Sequence, residues 1–457
     1  MVIELPVDTE RAARRSRPPL TEEDAERLIR AICFKTGPPG VVGAELEWLV
    51  RDVAEPSRPV IPDQVGHILS SLREPGALPG AGLLTQEPGG QVELSTAPAA
   101  NLSECVAAAS GDLAVLREAF GREGLSLTGN GIDPYRRPSR ILDLPRYTAM
   151  EQYFDRLGHW GRLMMCSTAS VQVCVDAGLD RDGASGYAFR WRLLHALGPV
   201  LVATFANSPL RRGKPTGWKC TRQLVWSRLD PCRTHSPPGA EPHSADGGDP
   251  RDGWVSYAMD ADVLCLRRPD GEQWTVPAGL SLRDWLNGAH EPGPTADDLT
   301  YHLSTLFPPV RPRGHLELRM IDAQPGDGWI VPVALVTALV DDPVAADAAM
   351  AATEPVWRWP IPRPRELEPR REQSDCAGES RQESPWLRAA RNGLADPVLA
   401  RAASQCFEAA SASLARSDAP PHITAAVAEF ADRYVLRGRC PADDVLDTIP
   451  TTLEGPS

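Results

Sequence analysis

The sequence predicts an α+β fold on three observations. Short segments alternate polar and apolar side chains with a two-residue period, segments of helical spacing separate them up to about Trp359, and an alanine-rich, helix-periodic stretch follows residue 384. Composition divides the 457 residues into a mobile N-terminus over 1–20, a main body over 21–360, a Pro-, Glu- and Arg-rich linker over 361–384, a small helical C-terminal unit over 385–450 and a tail over 451–457.

Taken in order, TEEDAERLIRAICF from Thr21 combines a threonine cap, early acids and helical spacing, and predicts a helix. GAELEWLV alternates, with Glu45 and Glu47 on one face and Leu46 and Trp48 on the other. In LLTQEPGGQVELSTAP the Pro88-Gly89-Gly90 turn predicts a hairpin, with Glu87 at its edge and Glu93 on the return strand. MMCSTASVQVCVDAG reads as a strand whose one face carries Thr168, Ser170 and Gln172, opposite Ala169, Val171 and Val173. HSPPGAEPHSADGGDPRDG (235–253) reads as a long surface loop. GHLELRMID sets His315, Glu317 and Arg319 together, opposite Leu316, Leu318 and Met320.

A net charge of -13 and a pI near 5.3 argue against a nucleic-acid partner or an anionic membrane, and favour small metabolites. Met1 to Leu20 lacks the apolar centre of a secretory signal, and the longest apolar run, Trp329 to Val340, is interrupted by Pro332 and falls short of the ~20 residues a bilayer requires. The ten cysteines form no CxxC pair, which predicts reduced thiols in a cytoplasmic protein and no structural zinc. A monomer or weak homo-oligomer is expected. Of only three lysines, Lys214 and Lys219 share the basic segment 205–231 with Arg211, Arg212, Arg222 and Arg228.

Each alternating segment alone also fits a half-exposed strand with one solvated face. Glutamate is nonetheless disfavoured in strands, yet three of these segments place it mid-strand. Gathered in one sheet, such carboxylates repel one another and raise their own pKa values unless cations neutralise them. Their hard oxygens suit Mg2+ or Mn2+, with Gln172 as a neutral oxygen donor. No GxxxxGK[ST] or GxGxxG motif stands between a strand and a helix, so a P-loop is excluded. Arg319, two residues from Glu317 on the same face, is placed to grip a carboxylate or phosphate bidentately. His315 reads as a metal ligand or a packing group. Cys166 and Cys174, on the face of Gln172, read as packing residues because no His–carboxylate partner accompanies them. A two-metal hydrolase and a non-catalytic binding protein also fit these residues.

At GAELEW, QEPGGQVELSTAP, PRYTAMEQYF (145–154), STASVQV, FANSP with GKPTGW and RQLVW, and GHLELR, the chain resembles the glutamate–cysteine ligase superfamily. The likeness runs in the family's order over roughly residues 30–345, within the bacterial and plant branch, and is strongest to the actinobacterial form of the ergothioneine pathway. The resemblance implies a curved antiparallel sheet lining the active site with flanking helices, akin to glutamine synthetase, and makes 21–360 an ATP-dependent ligase domain. It implies Glu45, Glu47, Glu87, Glu93, Gln172 and Glu317 as ligands of Mg2+ (or Mn2+), with Glu87, beside the turn, standing furthest back. ATP is then the co-substrate, and glutamate is joined to cysteine through a γ-glutamyl phosphate, giving γ-glutamylcysteine, ADP and phosphate. Arg319 and Arg222 are the expected catalytic groups. Arg146, Tyr147, Asn207, Lys214, Arg222 and Arg319 are the expected substrate-binding groups. In the plant members an arginine stands where this chain has Ser167, so that contact is not carried over. A ligase acting on a different amine fits the same motifs.

Overall fold

The computed structural model describes residues 20–37, 40–242, 248–268, 272–358 and 384–449. The expected N-terminal lead-in, the linker and the tail lie outside the described residues, apart from Leu20 and Ser384, as does part of the 235–253 loop.

Alternation builds the sheet. In chain order the described strands are β1 (Val42–Asp52), β2 (Leu83–Gln86), β3 (Val92–Ser95), β4 (Leu125–Thr128), β5 (Ser170–Asp176), β6 (Leu210–Arg211), β7 (Lys214–Pro215), β8 (Val310–Pro312) and β9 (His315–Asp322). Seven of them pair in the order β2-β3-β1-β5-β9-β8, with β4 on the far end of β1, and every pairing is antiparallel. The register slips between Val171 and Val173, where β9 carries one residue more than β5, a bulge that bends β9. One face is apolar: Leu46, Trp48, Leu94, Val173, Leu316 and Leu318 are all buried in the main core.

Helix Tyr187–Thr204 is buried over most of its length despite Arg190, Arg192 and His195, and helix Ile330–Asp341 is apolar on nearly every side and buried through Val340. The long apolar run is therefore a core helix. Among the described residues no helix is long and apolar enough to cross a membrane.

The helix expected from Thr21 spans Glu22–Cys33, and the Thr21 side chain caps it by accepting from the Asp24 amide. Two expectations need correction. The MMC segment is not strand but the last part of helix Trp160–Ser167, so Cys166 does not share the sheet face of Gln172. Residues 250–253 belong to helix Pro250–Asp260, because Asp249 caps it and Pro250 supplies a preset first turn.

Beyond residue 384 the chain is helical, as expected, over Pro385–Asn392, Pro397–Arg416, Pro421–Arg433 and Pro441–Asp447. These helices share the main core. Phe430 lies 5.1 Å from the Phe205 ring, and the Trp386 indole packs so closely on Gly198 that a β-carbon there would overlap it. The Ala390 carbonyl accepts the amides of Lys219 and Cys220 at 2.9 and 2.8 Å, the Ala442 amide donates to the Ala206 carbonyl at 2.8 Å, and Lys219 pairs with Asp443. The C-terminal helices thus grip the segment 205–220 directly.

Two fully enclosed imidazoles give the fold a pH signature. His302 Nε2 meets the Ala258 carbonyl at 2.9 Å and His195 Nδ1 the Trp191 carbonyl at 2.9 Å, while the other ring nitrogen of each has no partner among the described residues. Burial lowers both from 6.5 to about 4. A depressed histidine contributes stability that is complete above pH 6.5 and lost as pH falls through about 4, about 3 kcal/mol per ring. His302→Gln, whose amide still donates to Ala258, is expected to gain on wild type in thermal midpoint as pH drops from 7 to 4. A constant difference across that range would refute the assignment.

Candidate active site

Register decides which side chains meet. Across the face opposite the apolar one, Glu47 of β1 stands directly opposite Glu93 of β3, and Glu45 opposite Gln172 of β5. Cys174 of β5 and Arg311 of β8 flank Glu317 of β9. Residues far apart in sequence therefore form one polar surface, and Glu45, Glu47, Glu93, Gln172 and Arg319 line a cavity of about 520 Å³. The hairpin turn brings Glu87 to it, helix Pro145–Asp155 brings Arg146 and Tyr147, and helix Thr221–Trp226 brings Arg222 and Trp226.

The surface is electrostatically divided. At one end Glu317, fully buried, accepts a fork from Arg311 at 2.9–3.1 Å and a further bond from Arg319. Burial alone would raise its pKa; Arg311 and Arg319 override that and hold the carboxyl at about 2. Arg319 also donates to the Gln172 amide oxygen, while Gln172 Nε2 donates to Glu47 at 2.9 Å. At the other end repulsion prevails. Burial, then Glu317 and Glu93, push Glu45 up to about 7; burial, then Glu93 and Glu47, push Glu87 up to about 8. Glu47 and Glu93 are raised as well, chiefly by burial. Glutamates directly opposed on a sheet destabilise it unless a cation lies between them. Among the described residues no three carboxylate, imidazole or thiol side chains already surround one point. The donors thus share a surface without forming a closed cage, and by donor type and unbalanced charge they fit hard divalent cations.

The chain matches the family described as Glutamate-cysteine ligase family 2 over residues 41–456. The chain belongs to that family. In this ligase family its relatives include glutamate–cysteine ligase EgtA of Mycolicibacterium smegmatis, 40% identical over 93% of this chain and 91% of that protein. EgtA of Mycobacterium tuberculosis is 38% identical over 93% and 90%. The chloroplastic glutamate–cysteine ligase B of Oryza sativa subsp. japonica is 32% identical over 69% and 65%. A solved glutamine synthase homolog aligns with 91% of this chain and 76% of its own at 12% identity and a TM-score of 0.32.

Of the substrate groups expected in this family-2 ligase, Arg146, Tyr147, Arg222 and Arg319 line the cavity, whereas Asn207 and Lys214 do not. Asn207 is 2% exposed, and its amide donates to the carbonyls of Gly129 and Ala323 at 2.6 and 2.9 Å, so it is a structural bolt. Lys214 lies exposed on the small β6–β7 hairpin. Of the basic side chains in 205–231 only Arg222 enters the cavity. It lies 4.5 Å over the Trp226 ring, donates to the Arg319 carbonyl at 2.7 Å, and keeps a buried Nε without a partner among the described residues. His315, left open between ligand and packing, does not line the cavity; it pairs across the sheet with Asp176. Sequence reasoning missed Arg311 and the apolar walls at Met150, Met165, Trp226 and Phe307. The signal for Arg311 was present: Pro312-Arg313-Gly314, with Gly314 at φ +84°, is a tight hairpin that returns β8 against Glu317.

Proposed function

We propose that this chain is an ATP-dependent glutamate–cysteine ligase, supplying γ-glutamylcysteine in the manner its family resemblance implies for ergothioneine biosynthesis. One observation carries the reading: four glutamates, Glu45, Glu47, Glu87 and Glu93, line a single cavity together with Arg146, Arg222 and Arg319, and a fifth, Glu317, is buried behind Arg311 and Arg319 at its edge. A carboxylate cannot be displaced by an amine directly, since oxide would have to leave. In the proposed reaction an oxygen of the glutamate γ-carboxylate attacks the γ-phosphorus of ATP, the bond to the β-phosphate oxygen breaks and ADP departs. The amine nitrogen of cysteine then bonds to the carbonyl carbon, the carbon–oxygen bond to phosphate breaks, and the amine proton is released.

Glu45, Glu47, Glu87, Glu93, Gln172 and Glu317 are the residues proposed to hold Mg2+ (or Mn2+), which when bound offsets triphosphate charge. Arg319 is assigned to the transferring phosphoryl group, and Arg222 to the nucleotide or the glutamate α-carboxylate. Arg146 reaches Ser304 at 3.4 Å and lies 5.2 Å over the Tyr301 ring; with five N–H donors it has capacity left for a substrate carboxylate, and Tyr147 lines the cavity beside it. Catalysis then consists of positioning and electrostatics. Among the described residues no two cysteines are joined by a disulfide, in keeping with a reducing, cytoplasmic location.

With ATP and Mg2+, phosphate release is expected only when glutamate is present, and continuous turnover only with cysteine. Release indifferent to glutamate would end this reading. A panel of amines in place of cysteine tests the choice of nucleophile.

A further inference from the structure

Asp322, 1% exposed, ends β9 beyond the register shift, paired with Ser170 of β5 and close to the charge of Arg222, and nothing in the proposed reaction uses it. A carboxylate buried this deeply is costly unless its acceptors are filled. One oxygen accepts the Asn207 amide at 2.9 Å and the Ser208 hydroxyl at 2.7 Å, and the other accepts the Cys220 thiol at 3.2 Å. Gly131 closes over it, where any β-carbon would overlap the carboxyl. The Ser208 hydroxyl carries a single hydrogen. With that hydrogen given to Asp322, its oxygen faces the next group as an acceptor only, and the next group is the Arg222 amide at 3.2 Å. The Arg222 guanidinium returns to the same strand through the Arg319 carbonyl.

We propose that the Asp322–Ser208 pair is a positioning device for Arg222, fixing the arginine's main chain from the end of β9 while its guanidinium faces the cavity. Neither residue touches substrate. Because β9 carries both Asp322 and Arg319, one strand sets the spacing between the two arginines assigned to catalysis. The inference rests on that assignment of Arg222.

The test compares Ser208→Ala, Ser208→Thr and Asp322→Asn, each alone and with Arg222→Ala. Ser208→Ala is expected to lower kcat about tenfold or more, in the range seen when groups supporting a functional side chain are removed. Ser208→Thr, which keeps the hydroxyl, should retain most activity. In the Arg222→Ala background Ser208→Ala and Asp322→Asn should cost little further, because residues acting through one another do not add. Losses that multiply in the double variants, with a lowered thermal midpoint, would overturn the proposal and leave Asp322 a packing group. Hydrogen–deuterium exchange of the Thr221–Trp226 amides in the free protein judges the relay independently: it should be faster in Ser208→Ala than in Ser208→Thr, and equal rates overturn it. If wild type releases no phosphate in response to glutamate, the reaction is wrong, while the exchange result still decides the positioning.

Discussion

Replacing Arg319 with alanine is expected to lower glutamate-dependent phosphate release about 10³-fold or more at saturating ATP and glutamate, the scale on which a phosphoryl-stabilising arginine acts. The geometry explains the size. Arg319 donates to both Glu317 and Gln172, its carbonyl anchors Arg222, and its buried Nε has no partner among the described residues. Removing it takes away the fork we propose for the reacting phosphate, a share of the charge that keeps Glu317 ionised, and a constraint on its neighbour. Arg319→Lys preserves the charge but not the planar fork, so it should recover only part of the loss. Single-turnover phosphate release is the decisive measurement. A deficit below tenfold would move Arg319 out of the reaction.

The second large effect has two signs. Glu93→Gln is expected to abolish most turnover, about 100-fold or more, and to raise the magnesium concentration needed for what remains. In chelator the same variant should melt higher than wild type. Both hydroxyl bonds to Glu93, from Thr85 at 2.8 Å and Ser95 at 3.2 Å, end on a single oxygen, which glutamine retains. Its new amide then faces Glu47, replacing repulsion with attraction. A gain of about 1 kcal/mol is the expected order, a cross-strand pair effect. Added magnesium should narrow the gap, because ligand binding stabilises only the form that binds it. A variant that melts lower with and without magnesium would refute the claim that the empty-charge face is strained by repulsion.

The sheet was legible because two-residue alternation is a local property. β1, the β2–β3 hairpin and β9 lie where Glu45 and Glu47, Pro88-Gly89-Gly90, and Glu317 with Arg319 locate them. The order of strands was not local, and only pairing shows that Glu47 meets Glu93 and that Arg311 meets Glu317. The errors have the same origin. Met164 to Cys166 alternate poorly in either conformation, and burial of Leu163, Met164 and Met165 in the core settled them as helix. Asn207 and Lys214 carried suitable chemistry, but a side chain's direction depends on tertiary partners: the carbonyls of Gly129 and Ala323 claim one, and a two-residue hairpin projects the other outward.

The hold of Asp443 on Lys219 and of Ala442 on Ala206 spans more than two hundred positions of chain. Contacts this distant in sequence carry a large loop-closure cost, which slows folding. A chain ending before Cys440 would lack both ties and leave the segment 205–220 with fewer holds on it.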